Sequence, residues 1–278
     1  MPPSLTALSQ SSLQDYQDCP RRFELRYLKE LAYPAVETEP AFENEKRRLE
    51  GEYFHRLAQQ YLIGVPAEQV GRLANTENLQ RWWENFINAK DLSGLRNSSG
   101  LYPEITLSAP LGNFRLLAKY DLIVVNGEGA VIFDWKTYRR RPKNEWLHVR
   151  WQTRVYRALL VQAGAHLNGG TPFAPEQIEM VYWFADFPAE PAKFPYKAEQ
   201  FKRDWDALTK IADEIAKAST SLGANFPKTD EVSKCAYCPY RSRCNRGIRA
   251  GDAADAELET EAEELFDVNF EQIGEIAF

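Results

Sequence analysis

At 278 residues, with 44% hydrophobic and 27% charged content, the chain can bury a sizeable core, which excludes a disordered polypeptide. No run approaches the ~18 apolar residues of a membrane span, and Met1-Pro-Pro-Ser-Leu5 lacks the basic and apolar segments of a secretion signal, so a cytoplasmic protein without membrane association is expected. The net charge of −6 conceals an asymmetry: residues 252–278 hold ten acids and no Lys or Arg, so 34 basic against 40 acidic residues becomes 34 against 30, or +4, in the body.

Along the chain, Ser11 or Ser12 can cap a short helix that runs through Tyr16 and breaks near Cys19-Pro20, and residues 21–31 read as helical again. Residues 43–62 form a strong helix with Leu49, Tyr53, Phe54, Leu57, Ala58 and Tyr61 as its apolar stripe. His55 lies off that stripe, on a polar face with Glu52 and Gln59. A helix over residues 77–89 carries Trp82-Trp83, whose expected fate is core packing, with base stacking as the alternative. A loop over 91–100 precedes strands at 104–108 and 114–125 and a return strand ending near Lys136. Residues 144–165 read as one helix, 178–184 as a strand joining the sheet, and 198–219 as a helix, followed by a loop-rich segment at 235–249. The division expected is one domain over residues 1–250 and an acidic, flexible tail over 251–278. That tail can solvate the protein, dock a protein partner through Leu265-Phe266, Phe270 and Ile276-Ala-Phe278, or mimic DNA over a basic groove.

The most informative segment is the hairpin. Residues 122–125 and 130–133 are strand-like, and Asn126-Gly-Glu-Gly129 is a turn signal. If Val125 faces Ala130, Asp121 lies opposite Asp134, Lys136 shares their face, and Phe133 and Trp135 point away. Opposed carboxylates destabilise a hairpin unless a cation sits between them or one stays protonated. Two such acids with a lysine beyond the second suit a metal site for phosphodiester chemistry. An ordinary solvated hairpin face is the competing reading. Glu104, at the start of a neighbouring strand, can add a supporting or second-metal carboxylate.

Four cysteines stand at Cys19, Cys235, Cys238 and Cys244. Disulfides are disfavoured in a reducing compartment, and a one-plus-three split is unlike a zinc ribbon. An iron–sulfur cluster held by all four thiolates fits best, with zinc or unpaired buried thiols as alternatives.

Taken in order, these motifs resemble the RecB/AddB-like iron–sulfur exonuclease branch of the PD-(D/E)XK nuclease superfamily, which includes CRISPR-associated spacer-processing nucleases. The segments that carry the likeness span residues 10–250. They are Ser11-Ser-Leu-Gln-Asp-Tyr-Gln-Asp-Cys-Pro-Arg-Arg-Phe23, Gly51-Glu-Tyr-Phe-His55, Lys119-Tyr-Asp-Leu-Ile123, Asp134-Trp-Lys136, Gln152-Thr-Arg-Val-Tyr156 and Cys235–Cys244. Ala118 departs from the glycine common there. The resemblance implies an α/β (α+β) fold: a restriction-endonuclease-like mixed β-sheet core flanked by helices, with an iron–sulfur-stapled terminal subregion. It implies a metal-dependent deoxyribonuclease, expected to be a single-strand or DNA-end exonuclease of repair or recombination. Spacer processing in CRISPR adaptation, or a weakly active DNA-binding assembly subunit, are the alternatives. Asp121, Asp134, His55 and the Trp135 backbone carbonyl would hold Mg2+ or Mn2+, Lys136 would act on the water or phosphate, and the four cysteines would ligate a [4Fe-4S] cluster. Gln152, Tyr156, Arg139, Arg140 and Arg141 would contact DNA, joined by Arg241, Arg243, Arg246 and Arg249 near the last cysteine.

Overall fold

A computed structural model describes residues 5–31, 39–92, 94–95, 98, 100–220 and 226–247. Arg249, the acidic tail and the expectations placed on the tail lie outside them. Six strands make one mixed sheet: β1 (Ala7–Ser9), β2 (Gly100–Leu111), β3 (Phe114–Asn126), β4 (Gly129–Lys136), β5 (Ile178–Phe184) and β6 (Ala192–Pro195). The sheet order is β1-β3-β4-β5-β6, and β2 pairs along the whole opposite edge of β3. Helices α1 (Gln10–Asp18), α2 (Pro20–Phe23), α3 (Glu39–Leu62), α4 (Ala67–Gly71), α5 (Glu77–Asn88), α6 (Asn144–Val149), α7 (Trp151–Ala163) and α8 (Ala198–Thr220) cover its two faces. Mixed sheet and flanking helices are those of a restriction-endonuclease-like fold.

The faces follow from the side-chain pattern. On one, Leu13, Val155, Leu159, Leu208 and Ile211 of α1, α7 and α8 pack against Leu116, Ala118, Tyr120, Ile132, Met180 and Tyr182. On the other, Phe54, Leu57, Val70, Trp82, Trp83 and Phe86 of α3–α5 pack against Leu122, Val124, Phe133, Trp135, Val181 and Trp183. Adjacent tryptophans on α5 are therefore core, and full burial of each large aromatic contributes roughly 1.5–3 kcal/mol. β4 and β5 alternate strictly between the faces. β3 does not: Tyr120 and Ile123 belong to the first face, but Leu122 and Val124 to the second. β2 slips at the matching place, between Tyr102 and Ile105. Both irregularities meet at Glu104 and Asp121.

The local chemistry explains the registers. Leu111 pairs with Phe114 across Gly112-Asn113, where Gly112 takes φ 58°, the left-handed conformation that glycine adopts without Cβ strain. That hairpin register runs unbroken to Gly100 opposite Val125, except at Glu104, which falls opposite Asp121 and has φ 56°. In the next hairpin the Asn126 side chain accepts from the backbone N–H groups of Glu128 and Gly129, at 2.9 and 3.0 Å, which fixes Val125 opposite Ala130 as expected.

Several expectations needed correction. The helix over 144–165 is two helices, because Arg150 is extended (ψ 145°) and Thr153 donates to the terminal carbonyl of Leu147 at 2.5 Å. The first helix is capped by Ser9, not Ser11 or Ser12: the Ser9 side chain accepts from the Ser12 N–H and Ser12 Oγ accepts from the Ser9 N–H. β1, α4 and β6, of three, five and four residues, are too short for periodicity to reveal. Leu49 is exposed, so the apolar stripe of α3 begins further along.

Candidate functional site

β1 pairs with β3 over Arg115–Leu117 and β4 pairs with the same edge over Leu122–Asn126. Between them, residues 118–121 have no strand neighbour on that side among the described residues, and the candidate site is built in this gap. Tyr156 of α7 closes its floor: its hydroxyl donates to the Lys119 carbonyl at 2.7 Å, while Tyr120 donates to the Tyr156 carbonyl at 2.9 Å. Tyr156 is buried and its hydroxyl is taken, so it holds β3 rather than meeting a phosphate as expected.

β4 enters the gap from its far side. The Trp135 N–H donates to Asp121 Oδ2 at 2.7 Å. Within a strand the N–H and C=O of one residue face the same edge, so the Trp135 carbonyl also faces the gap. The next carbonyl, Lys136, turns to β5 and accepts from the Ala185 N–H at 2.8 Å. His55 arrives on α3. A Cβ at Gly51 would lie 2.9 Å from Thr137 Oγ1, so the missing side chain lets the helix approach the end of β4. One turn later, His55 Nδ1 stands 3.1 Å from Asp121 Oδ1.

Asp121, Asp134 and Lys136 are all buried, and each has a partner, as buried charges require. Lys136 Nζ lies 2.7 Å from Asp134 Oδ2, and Gln152 Nε2 donates to Asp134 Oδ1 at 2.8 Å. Behind Gln152, Tyr182 donates to Gln152 Oε1 at 3.4 Å and meets Thr153 Oγ1 at 2.8 Å. Burial alone would raise the Asp121 pKa, but the His55 charge and hydrogen bond, the Trp135 N–H and Lys136 together hold it below the usual carboxylate range. Burial opposes a charged His55, yet Asp121, with Asp134 and Glu104 behind it, outweighs that cost and pushes its pKa up to about 9. Glu104 shifts upward, chiefly through burial and then through the Asp121 charge, against the pull of Lys119 and His55.

Donor atoms of His55, Glu104 and Asp121 all lie within 4.8 Å of one another, the only such grouping among the described residues. Carboxylate oxygens with one imidazole nitrogen fit a hard divalent cation such as Mg2+ or Mn2+, the nitrogen favouring Mn2+. Residues 7–245 match the family model of the PD-(D/E)XK nuclease superfamily. The chain belongs to that superfamily. Membership implies metal-dependent phosphodiester hydrolysis, and Asp134-Trp135-Lys136 supplies the D-x-K. A "Putative exonuclease" from Eubacterium rectale has a similar fold, with TM-score 0.53 and 13% identity, over 88% of this chain and 90% of that one. The crystal structure of SSO0001 aligns at TM-score 0.42 and 14% identity, over 87% of each chain. No curated protein matches the sequence.

Two residues of this candidate site carried too little weight in the sequence. Glu104, expected to be a supporting or second-metal carboxylate, stands inside the cation grouping. Lys119, read only as part of a motif, pairs with the Glu104 carboxylate. The Gly112-Asn113 turn signal could have placed Glu104 opposite Asp121. Arg139 and Arg140 follow β4 as expected. Arg141 is engaged with the protein itself, donating to the Glu190 carbonyl, the Pro142 carbonyl and Asn144 Oδ1, so its expected DNA contact is not supported by its geometry.

The four cysteines, free of disulfides and half-buried, line a single cavity. Arg22, Lys228, Lys234, Arg241 and Arg246 line it too. Burial pushes the Cys238 thiol up to about 11, the charges of Cys19 and Cys244 adding to the effect. Cys244 shifts the same way, again mainly through burial. A thiol quartet ringed by cations suits a metal-bearing group whose thiolates leave it anionic.

Proposed function

We propose that this superfamily member is a deoxyribonuclease of the RecB/AddB-like iron–sulfur branch, acting on single strands or free DNA ends in repair or recombination. The observation that supports it most is the sheet gap itself, where His55, Glu104 and Asp121 converge beside the Asp134–Lys136 pair. A scaffold has no physical need to collect three acids there. Asp121, Asp134, His55 and the Trp135 carbonyl would hold Mg2+ or Mn2+, with Glu104 as a further ligand. The ion, when bound, supplies an acidified water and neutralises charge developing on the phosphate. Lys136 presents a compact positive charge to the scissile phosphate, its position fixed by Asp134. Gln152 orients the other oxygen of Asp134, and Tyr182 in turn orients Gln152. Asp121 steadies the Trp135 peptide through its N–H. Arg139 and Arg140 track the backbone of the substrate.

Cys19, Cys235, Cys238 and Cys244 would hold a [4Fe-4S] cluster that ties the start of the chain to the segment after α8. The cationic lining supports a cluster over neutral thiols. Iron and acid-labile sulfide in anaerobically purified protein are the expected result, and stoichiometric zinc instead would overturn it. For the activity, an end-labelled single strand, its circular form and an RNA of the same sequence are incubated with Mn2+. The linear DNA should be degraded, the circle spared, and Asp134→Ala inert. Equal rates for Asp134→Ala and the unsubstituted protein would refute the enzyme reading. Equal degradation of RNA would replace the substrate.

A further inference from the structure

Each acid of the site has its own cation: Asp121 has His55, Asp134 has Lys136, and Glu104 has Lys119. The two lysine pairs differ in kind. The Lys136 side chain is 7% exposed and locked beside Asp134, whereas that of Lys119 is 36% exposed. The Lys119 backbone is fixed through its carbonyl by Tyr156, so only the flexible stem is free to swing. Its partner Glu104 is also one of the three groups able to share a divalent ion. Glu104 is held opposite Asp121 by a backbone at φ 56°, a conformation that costs a non-glycine residue energy and that clusters at working sites.

We propose that Lys119 is a phosphate-binding residue released by the metal: it occupies Glu104 in the metal-free protein, yields that carboxylate to the divalent ion, and then contacts a DNA phosphate next to the scissile one. This rests on the nuclease reading above. The exchange is favourable in sign. A partly exposed ammonium–carboxylate pair is weak, while a doubly charged ion among Glu104, Asp121 and His55 gains from several oxygens at once. The freed ammonium, a point charge on a four-carbon stem, suits a mobile phosphate contact. Metal loading thereby raises affinity for the substrate, and the metal-free site hides the charge that would otherwise bind DNA unproductively.

The full-length protein tests this in two ways. In the unsubstituted protein, reductive methylation read by mass spectrometry should label Lys119 slowly without metal, faster with Mn2+, and slowly again when a single-stranded oligonucleotide is added with Ca2+. In parallel, Lys119→Met should bind Mn2+ more tightly, by up to about 5-fold, since a weak competitor is gone. The same variant should bind the oligonucleotide in Ca2+ more weakly and equally so across sequences, with the salt slope smaller by about 0.7. Lys119→Arg should keep the salt slope. Methylation of Lys119 that ignores Mn2+ overturns the proposal, as does a Met variant with unchanged salt slope. Should the Met variant not fold, the labelling of the unsubstituted protein still decides. Failure of the nuclease reading looks different: the unsubstituted protein would then neither take up Mn2+ nor cleave DNA.

Discussion

The sheet gap and the cysteine cavity are built in opposite ways. In the gap, Asp121, Glu104 and Asp134 sit on three neighbouring strands, and their positions follow from two tight turns that set the registers. Every acid already has a cation, and the Asp121 pKa is held down before any metal arrives. The cavity joins Cys19 to three cysteines more than two hundred residues later, and burial shifts the Cys238 and Cys244 thiols upward. Its walls are held by contacts such as Lys228 Nζ to the Cys244 carbonyl at 2.9 Å and the Tyr240 hydroxyl to the Leu31 carbonyl at 2.8 Å. One site is preorganised by the fold. The other would be completed by the proposed cluster, whose binding would then contribute to folding itself.

That contrast can be broken by substitution. The largest effect on activity is expected from Asp121→Ala, a loss of about 10³-fold or more in kcat/KM, equivalent to about 4 kcal/mol of transition-state stabilisation. Iron content and circular dichroism should be unchanged, and loss of iron in this variant would show the two regions to be coupled. Cys19→Ser should do the reverse, lowering the melting temperature by about 2–4 °C for each kcal/mol lost, with the metal-free sheet intact by amide exchange. An unchanged melting temperature would mean that the cavity does not staple the chain. Gln152→Ala should weaken Mn2+ binding or the rate by about 10–100-fold through the loss of orientation at Asp134, and Tyr182→Phe by less.

A further effect is that of pH. His55 has its pKa raised from 6.5 to about 9, so the stability it gains from Asp121 is complete below 6.5 and disappears as pH rises through 9. A metal must take the neutral imidazole, so Mn2+ affinity should climb over the same interval. Titration calorimetry between pH 6.5 and 9 should show that climb for the unsubstituted protein and a flatter profile for His55→Ala. Equal slopes would mean that His55 is not a ligand.

Much of the gap was legible because strands obey a two-residue period and turns fix registers. Asn126-Gly-Glu-Gly129 set Val125 opposite Ala130, and alternation correctly put Phe133 and Trp135 in the other core, although strand pairing stops at Leu122 opposite Phe133, one step short of Asp121 and Asp134. Glu104 was harder, since its role depends on a second hairpin and on a residue where both strands change face, which a regular period cannot foresee. Tyr156 was assigned the wrong partner for a related reason: its helix spacing is visible, but the unpaired Lys119 carbonyl it satisfies exists only because β1 and β4 share one edge of β3. The helix break at Arg150 depends on the Thr153 hydroxyl capping a carbonyl six residues earlier, a contact that apolar periodicity does not encode. Convergence of the cysteines could be guessed from their count, although no local pattern connects Cys19 with Cys235.

The most direct test of the central claim is anomalous diffraction from crystals of the unsubstituted protein grown with Mn2+. The account predicts one strong manganese peak in the gap beside β3 between β1 and β4, coordinated by Asp121 together with His55, Glu104, Asp134 or the Trp135 carbonyl. A gap without manganese at saturating metal, in protein that still degrades DNA, would contradict it.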